Sequence, residues 1–232
     1  MNEQINMSIP MEEMLRQQIY DALQGKVVES ILAQAKFNND DNYWRNMLEG
    51  HSFKVDEKIL SKLHNLFIEV KQKLNYTEMI DFYVTGDPSV NAFAVAAPEK
   101  GKPHIINVTS ALVQLMTDDE LKFVIGHEIG HLINKNAELS KLIYFVFPEK
   151  SNQPVILQYK IRLWNHLSEL SADRFGFLAV PDLKTCITAF FKMSSGLDFD
   201  RVDMKVEAFI EENMKRLEYF KKDQGVNIKS LS

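Results

Sequence analysis

His127, Glu128, Ile129, Gly130 and His131 are the residues of this sequence best suited to chemistry. Two histidines four apart on a helix project from one face, near enough to hold one metal ion through their imidazoles. Glu128 is offset by one position, so it borders that ion without ligating it, where a base can take a proton from an attacking water. Zinc suits such a site, because it lowers the pKa of its water to about 7 and polarises a scissile carbonyl. The bland alternative is a helix with two unrelated surface or core histidines. Gly126 and Gly130 weigh against it, since each costs roughly 1 kcal/mol in a helix interior relative to alanine. They make sense if another backbone, or a substrate, passes close.

A catalytic tetrahedral site takes three protein ligands and keeps a fourth position open. Glu169 is the leading candidate for the third, within Glu169-Leu170-Ser171-Ala172-Asp173. Asp173 lies one helical turn further, so both carboxylates face the same way. One can ligate while the other accepts the spare N–H of a ligating histidine. A solvated acidic face is the commoner use of such a pair. It loses ground because Trp164, Leu167, Leu170, Phe175 and Leu178 make this helix read as largely buried, where unpartnered carboxylates are costly. His166, one turn before Glu169, is a rival third ligand.

These residues need two helices to carry them. Thr117 and Glu120 form a capping box that starts one, running to about Lys135. A long helix from about Pro154 to Val180, stopped by Pro181, carries the other. Upstream, Pro10 followed by Met11, Met14, Leu15, Ala22 and Leu23 reads as an amphipathic helix, broken by the polar Asn38–Asn42 stretch before Tyr43 and Trp44. Ile59, Leu63, Leu66, Val70 and Leu74 mark another, over about 56–74. Met79–Thr85, Asn91–Ala97 and His104–Val108 read as three short strands, punctuated by Gly86-Asp87-Pro88 and by Pro98, Gly101 and Pro103. Helices near 183–193 and 202–222 complete the chain. Mainly helical with a sheet of about three strands, the fold class is α+β.

Composition narrows the function. The 232 residues suffice for a full core, and 45% hydrophobic with 25% charged residues is ordinary for a globular chain. A net charge of −5 without a basic block argues against a nucleic-acid surface. No apolar run approaches the roughly 18 residues of a membrane span, and the start of the chain lacks the pattern of a secretory signal. One cysteine, Cys186, makes no internal disulfide and reads as a core residue. The expectation is a cytoplasmic, soluble protein.

Three stretches together resemble the M48 family of metallopeptidases, which includes Ste24-like and HtpX-like members. Asn91-Ala92-Phe93-Ala94 is similar to a family strand. Asp118-Asp119-Glu120-Leu121 through Gly126-His127-Glu128-Ile129-Gly130-His131 is similar to the active-site helix. Glu169 to Arg174, ending Ala-Asp-Arg, is similar to the third-ligand motif. The resemblance covers roughly residues 77–195. It implies a zincin-like domain with Zn2+ on His127, His131 and Glu169, catalysis by Glu128 and a supporting role for Asp173. It also implies hydrolysis of peptide bonds in proteins or peptides, with the Asn91–Ala97 strand as an exposed edge that takes substrate backbone in extended form; an unpaired edge is a template for another strand. On this reading residues 1–75 are a helical region packed on the catalytic core at 76–195, and 196–232 is a helical extension.

The chain also departs from the family. Many members carry hydrophobic spans between the two metal-binding helices, where this sequence has only Leu139–Pro154. No histidine follows His166, which leaves the group that stabilises the transition state open among a tyrosine, His166 and Arg174. Leu142–Pro148 either covers the cleft as a lid or packs on the core. Two functions remain in competition: a zinc endopeptidase, and a non-catalytic zinc-bound module that captures or regulates through extended peptides.

Overall fold

The computed structural model describes residues 6–34, 46–97, 101–149, 152–199, 201–203 and 205–223. The expected break at Asn38–Asn42, Tyr43 and Trp44, and the punctuating Pro98, lie outside them. The elements in chain order are α1 (Pro10–Ala22), α2 (Gly25–Gln34), β1 (Ser52–Lys54), α3 (Ser61–Lys73), β2 (Ile80–Thr85), β3 (Ala92–Val95), β4 (His104–Thr109) and α4 (Ser110–Leu115). They continue with α5 (Asp118–Ile133), α6 (Asn136–Val146), α7 (Val155–Ala179), α8 (Leu183–Ser195) and α9 (Val206–Asp223). The mainly helical α+β class holds.

The sheet has four strands in the order β1-β2-β4-β3, one more than the sequence suggests. The extra strand is β1, three residues long with Phe53 pointing to solvent at 69% exposure. It is held by backbone pairing with β2 and has no apolar alternation to betray it. β2 and β4 run parallel, with Phe82 opposite Ile106, and β3 closes the other side antiparallel to β4. All six residues of β4 are buried because both faces of the sheet are covered. Phe82, Ile106 and Val108 face the main core with α3, α5 and α8, while Tyr83 and Ile105 meet Leu48 on the opposite face.

The main core is built around α5. The capping box forms as expected: the Glu120 N–H donates to Thr117 Oγ1 at 3.3 Å, and the Thr117 N–H donates to Glu120 Oε2 at 2.7 Å. Beyond the cap, Leu121, Phe123, Val124, Ile125, Ile129 and Leu132 are buried all around the helix, as in a helix enclosed by neighbours. A second core lies between α1, α2, α6 and α7. Leu15, Ile19 and Leu23 pack there with Leu139, Leu142, Ile143, Ile161 and Trp164.

α5 and α7 cross at backbone contact, which explains the glycines. A Cβ on Gly130 would come within 2.9 Å of Phe175 Cβ, and one on Gly126 within 2.8 Å of Ala179 Cβ. From the other side, a Cβ on Gly176 would stand 2.8 Å from the Phe123 carbonyl oxygen. Gly176→Ala is therefore expected to destabilise the fold by about 1–3 kcal/mol, the usual penalty of overpacking, although alanine is the better helix former by about 1 kcal/mol. The midpoint of urea unfolding reads the change; a gain in stability would show that the helices have room to part.

One expectation is corrected. Leu170 is 53% exposed, and Ile156, Leu163 and Phe177 are exposed too, so α7 is buried on one face only. Leu157, Ile161, Trp164, Ala172 and Phe175 make the buried face.

Candidate active site and metal centre

The crossing of α5 and α7 brings His127, His131 and Glu169 together. The two Nε2 atoms are 3.1 Å apart. Glu169 reaches His127 Nε2 at 3.4 Å with one carboxylate oxygen and His131 Nε2 at 3.6 Å with the other. Four ligands at 2.0–2.1 Å around zinc stand about 3.4 Å from one another, so these side chains fit the ion with little adjustment. Among the described residues this trio forms a potential metal-ligand group, and His166 is not in it. The other side of His127 is fixed by Asp173, whose Oδ1 accepts from Nδ1 at 2.9 Å. That bond leaves Nε2 directed at the trio.

Asn136 performs the matching service for His131. Its amide lies 3.3 Å from His131 Nδ1, with Nδ2 toward the ring and the buried Oδ1 without a partner. The two ends of an amide exchange by a half-turn. Turned so, Oδ1 accepts the Nδ1 proton and His131 offers its Nε2 lone pair to a metal. Lys135, in the left-handed conformation at φ 56°, makes the tight reversal from α5 into α6 that puts Asn136 there.

The electrostatics suit a cation. Burial alone drives both rings toward the neutral form. Hydrogen bonds that the ring donates to Asp173 and Glu169 outweigh it at His127 and raise its pKa. The same burial, reinforced by the neighbouring positive ring, lowers that of His131. Hydrogen bonding to His127 is the chief cause that holds the Glu169 carboxyl below its ordinary range. The trio thus gathers a proton where a divalent ion would displace it.

Glu128 lies beside the trio at 6% exposure. Burial pushes its carboxyl up to about 7; the Glu169 charge adds to the rise, while His127 and a hydrogen bond from the Ala94 backbone oppose it. That last contact joins Glu128 to the sheet edge. The Thr109 N–H donates to the Asn91 carbonyl at 3.0 Å, so alternate residues from Asn91 turn their polar groups toward β4. Ala92, Ala94 and Ala96 therefore turn theirs away from the sheet. Residues 91–96 form one wall of a cleft of about 790 Å³, with His127, Glu128, His131 and Glu169 also lining it.

The facing wall is α6. Leu139, Leu142 and Ile143 pack into the second core, while Ser140, Lys141 and Tyr144 line the cleft. Within Leu142–Pro148, Leu142 and Ile143 pack on the core with Phe145, Val146 and Phe147 against it, and Tyr144 lines the cleft. Of the other groups considered from sequence, Tyr144 belongs to the cleft, as a 66% exposed side chain. Arg174 turns the other way and donates to the Met7 carbonyl at 3.4 Å.

The family model described as Peptidase family M48 matches residues 55–221. The chain belongs to this family. The plastoglobule-localized metallopeptidase 48 of Arabidopsis thaliana chloroplasts is 31% identical over 170 residues, 70% of this chain and 48% of the relative. A protease HtpX homolog of Helicobacter acinonychis is 33% identical over 110 residues, 44% of this chain and 34% of its own. A second HtpX homolog, from Sulfurisphaera tokodaii, is 40% identical over 77 residues, 33% of this chain and 23% of its own. This M48 chain spans about half or less of the length of these relatives. No solved structure matches it. Among the described residues no helix is long and apolar enough to cross a membrane.

Sequence reasoning did not find Asn136 beside His131, nor the buried contact of Ser171 with Glu12. Asn136 had one signal, an asparagine at a helix start five positions after His131. Glu12 had none, because its partner Ser171 is 159 positions away.

Proposed function

We propose that this chain is a zinc-dependent endopeptidase, with zinc on His127, His131 and Glu169 and with Glu128 as general base. The observation that carries the reading is the convergence of His127 Nε2, His131 Nε2 and the Glu169 carboxylate, one ligand atom from each within 4.8 Å of the others, beneath an open sheet edge. Zinc, when bound, supplies a water acidified to a pKa of about 7 and a Lewis acid for the scissile carbonyl. The chain's own residues do the rest. Asp173 holds His127 in the ligating tautomer, and Asn136 does so for His131. The outward N–H and C=O groups of Ala92 and Ala96, with the Ala94 carbonyl, bind a substrate backbone as an added strand. Glu128, linked to Ala94, takes the proton of the attacking water and passes it to the leaving amine. Because β3 offers backbone groups, selectivity for substrate side chains falls to Lys141 and Tyr144 across the cleft.

Metal removal tests this directly. Purified protein is expected to carry one zinc per chain and to cleave casein. 1,10-Phenanthroline should abolish cleavage, and added zinc should restore it. Zinc bound without cleavage of any unfolded protein would instead favour a peptide-capturing module. Cleavage that survives complete metal removal would overturn the proposal.

A further inference from the structure

We propose that the exposed side of α7 is a docking surface for an anionic lipid membrane. Ile156, Leu163, Leu170 and Phe177 stand seven residues apart, and with Tyr159 they draw an apolar line along nearly the whole 25-residue helix. At 100° per residue the five lie within about 60° of arc. Ile156 is 76% exposed and Tyr159 70%, so this is open surface and not the rim of a core. The opposite face of the helix is the one that packs, through Leu157, Ile161, Trp164, Ala172 and Phe175. Single exposed apolar residues need no explanation, but an aligned set of this length marks an interaction site.

Charge selects the partner. Both carboxylates of α7 are turned to the histidines and the cleft: Asp173 accepts from His127, and Glu169 lines the cleft. Its other charged side chains are the basic Lys160, Arg162 and Arg174. Arg162 and Arg174 are exposed, Lys160 is half-buried, and the Arg162 guanidinium lies 5.9 Å over the Tyr159 ring. Lys73 donates to the Ala179 carbonyl at 2.8 Å and sets a further cation beyond Phe177. In a chain of net charge −5, cations thus flank this line at both ends. A second copy fits it less well. Antiparallel pairing of Leu163 with Leu170 would bring Arg174 beside Lys160 of the other copy, and parallel pairing would set each cation against itself. A lipid surface suits both features, because apolar side chains enter the acyl boundary while lysines and arginines meet the phosphates. Tyr159 has the amphipathic ring favoured at headgroup level. Glu169 stands about 100° round the helix from Leu170, so a chain lying on this line keeps its cleft open alongside the membrane. On the peptidase reading, the substrates would be polypeptide segments at that surface.

The test is flotation of the full chain with vesicles of about three parts phosphatidylcholine to one part phosphatidylglycerol, at about 0.1 M salt. The wild type is expected to float with them, and to bind pure phosphatidylcholine at least about tenfold more weakly, since each cation near an anionic surface is worth about fivefold. Ile156→Glu/Leu170→Glu should lower partitioning by about 100-fold or more, because two inserted apolar groups become charged. Lys160→Gln/Arg162→Gln should lower it about 25-fold on the anionic vesicles and leave the weak binding to phosphatidylcholine unchanged. Phe53→Glu, which removes a comparably exposed aromatic residue from β1, should bind as the wild type does. Glu128→Gln should too, so lipid binding and the peptidase reading stand or fall separately. Circular dichroism checks that each variant is folded; if the first pair does not fold, Ile156→Glu alone decides, with an expected loss of about tenfold. A wild type that stays unbound at about 1 mM lipid overturns the proposal. So does full binding by the Ile156 and Leu170 variants, an equal loss in Phe53→Glu, or equal binding to neutral and anionic vesicles. A wild-type dimer that Ile156→Glu/Leu170→Glu dissociates, with no lipid bound, would assign the surface to a second copy instead.

Discussion

Glu128→Gln is expected to lower peptide cleavage by about 10²- to 10⁴-fold while one zinc stays bound per chain, the range for loss of a general base. The substitution keeps shape and hydrogen-bonding length but cannot accept a proton. Zinc is expected to stay because the proposed ligand atoms belong to His127, His131 and Glu169, not to Glu128. Glu128 is one residue from His127, roughly 100° further round the helix, which puts it against Ala94 on the substrate edge. Removing its charge also relieves the buried site of one of its carboxylates, so stability is expected to hold or rise. His131→Ala should differ in kind, losing metal and cleavage together. Peptide hydrolysis and metal content measured on the same preparations separate the two. Cleavage by Glu128→Gln within tenfold of wild type, with zinc present, would remove Glu128 from the role of base.

How much of this was legible in the sequence depended on distance along the chain. The His127–His131 pair is a one-turn relation within a single helix, and the capping box at Thr117 and Glu120 is equally local; both are visible from spacing alone. The pairing of Glu169 with Asp173 is local too, but its docking on α5 is not. The apolar residues of α7 overstate its burial, since Leu170 faces solvent. On α7, Ile156, Leu163, Leu170 and Phe177 repeat every seven residues on the exposed side, and an apolar residue on that stripe looks no different in sequence from one on the buried side. The glycines at 126 and 130 did announce a close approach, though not whether of a helix or a substrate. It is α7, meeting them with Ala172, Phe175, Gly176 and Ala179. β1 escaped notice because its stability comes from backbone bonds to β2, which leave no mark on residue type. The buried contact of Glu12 with Ser171 escaped because it joins segments 159 positions apart, which no helical or strand period spans.

Lys192→Met carries the largest expected cost in stability, about 3–5 kcal/mol, the range for removing one partner of a buried ion pair. Lys192 on α8 is 5% exposed and Glu120 in the first turn of α5 is 3% exposed. The ammonium donates to Glu120 Oε2 at 2.8 Å and to the Leu115 carbonyl at 3.1 Å, so it binds α8 to the first turn of α5 and to the end of α4. Glu120 in turn accepts the Thr117 N–H and completes the cap. Burial tends to raise the Glu120 carboxyl, but hydrogen bonds from Lys192, Thr188 and the Thr117 backbone outweigh it, leaving the pKa below its ordinary 4.5. A depressed carboxyl contributes stability that is fully present above the unfolded pKa and is lost as pH falls through the folded one. The wild type should therefore hold this contribution from neutral pH down to about 4.5 and shed it below. In Lys192→Met the burial is left unopposed by a cation, so Glu120 titrates upward and takes a proton more readily as the protein is acidified. The gap between the two proteins should thus be widest near pH 7 and narrow toward pH 4, read as the difference in urea midpoints. Glu120→Leu/Lys192→Met, which leaves no buried charge, should recover part of the loss and retain a deficit of about 0.5–2 kcal/mol for the missing cap. A gap of constant size across that pH range would mean that Lys192 acts through its contact with Leu115 and its packing, with the Glu120 charge playing no part.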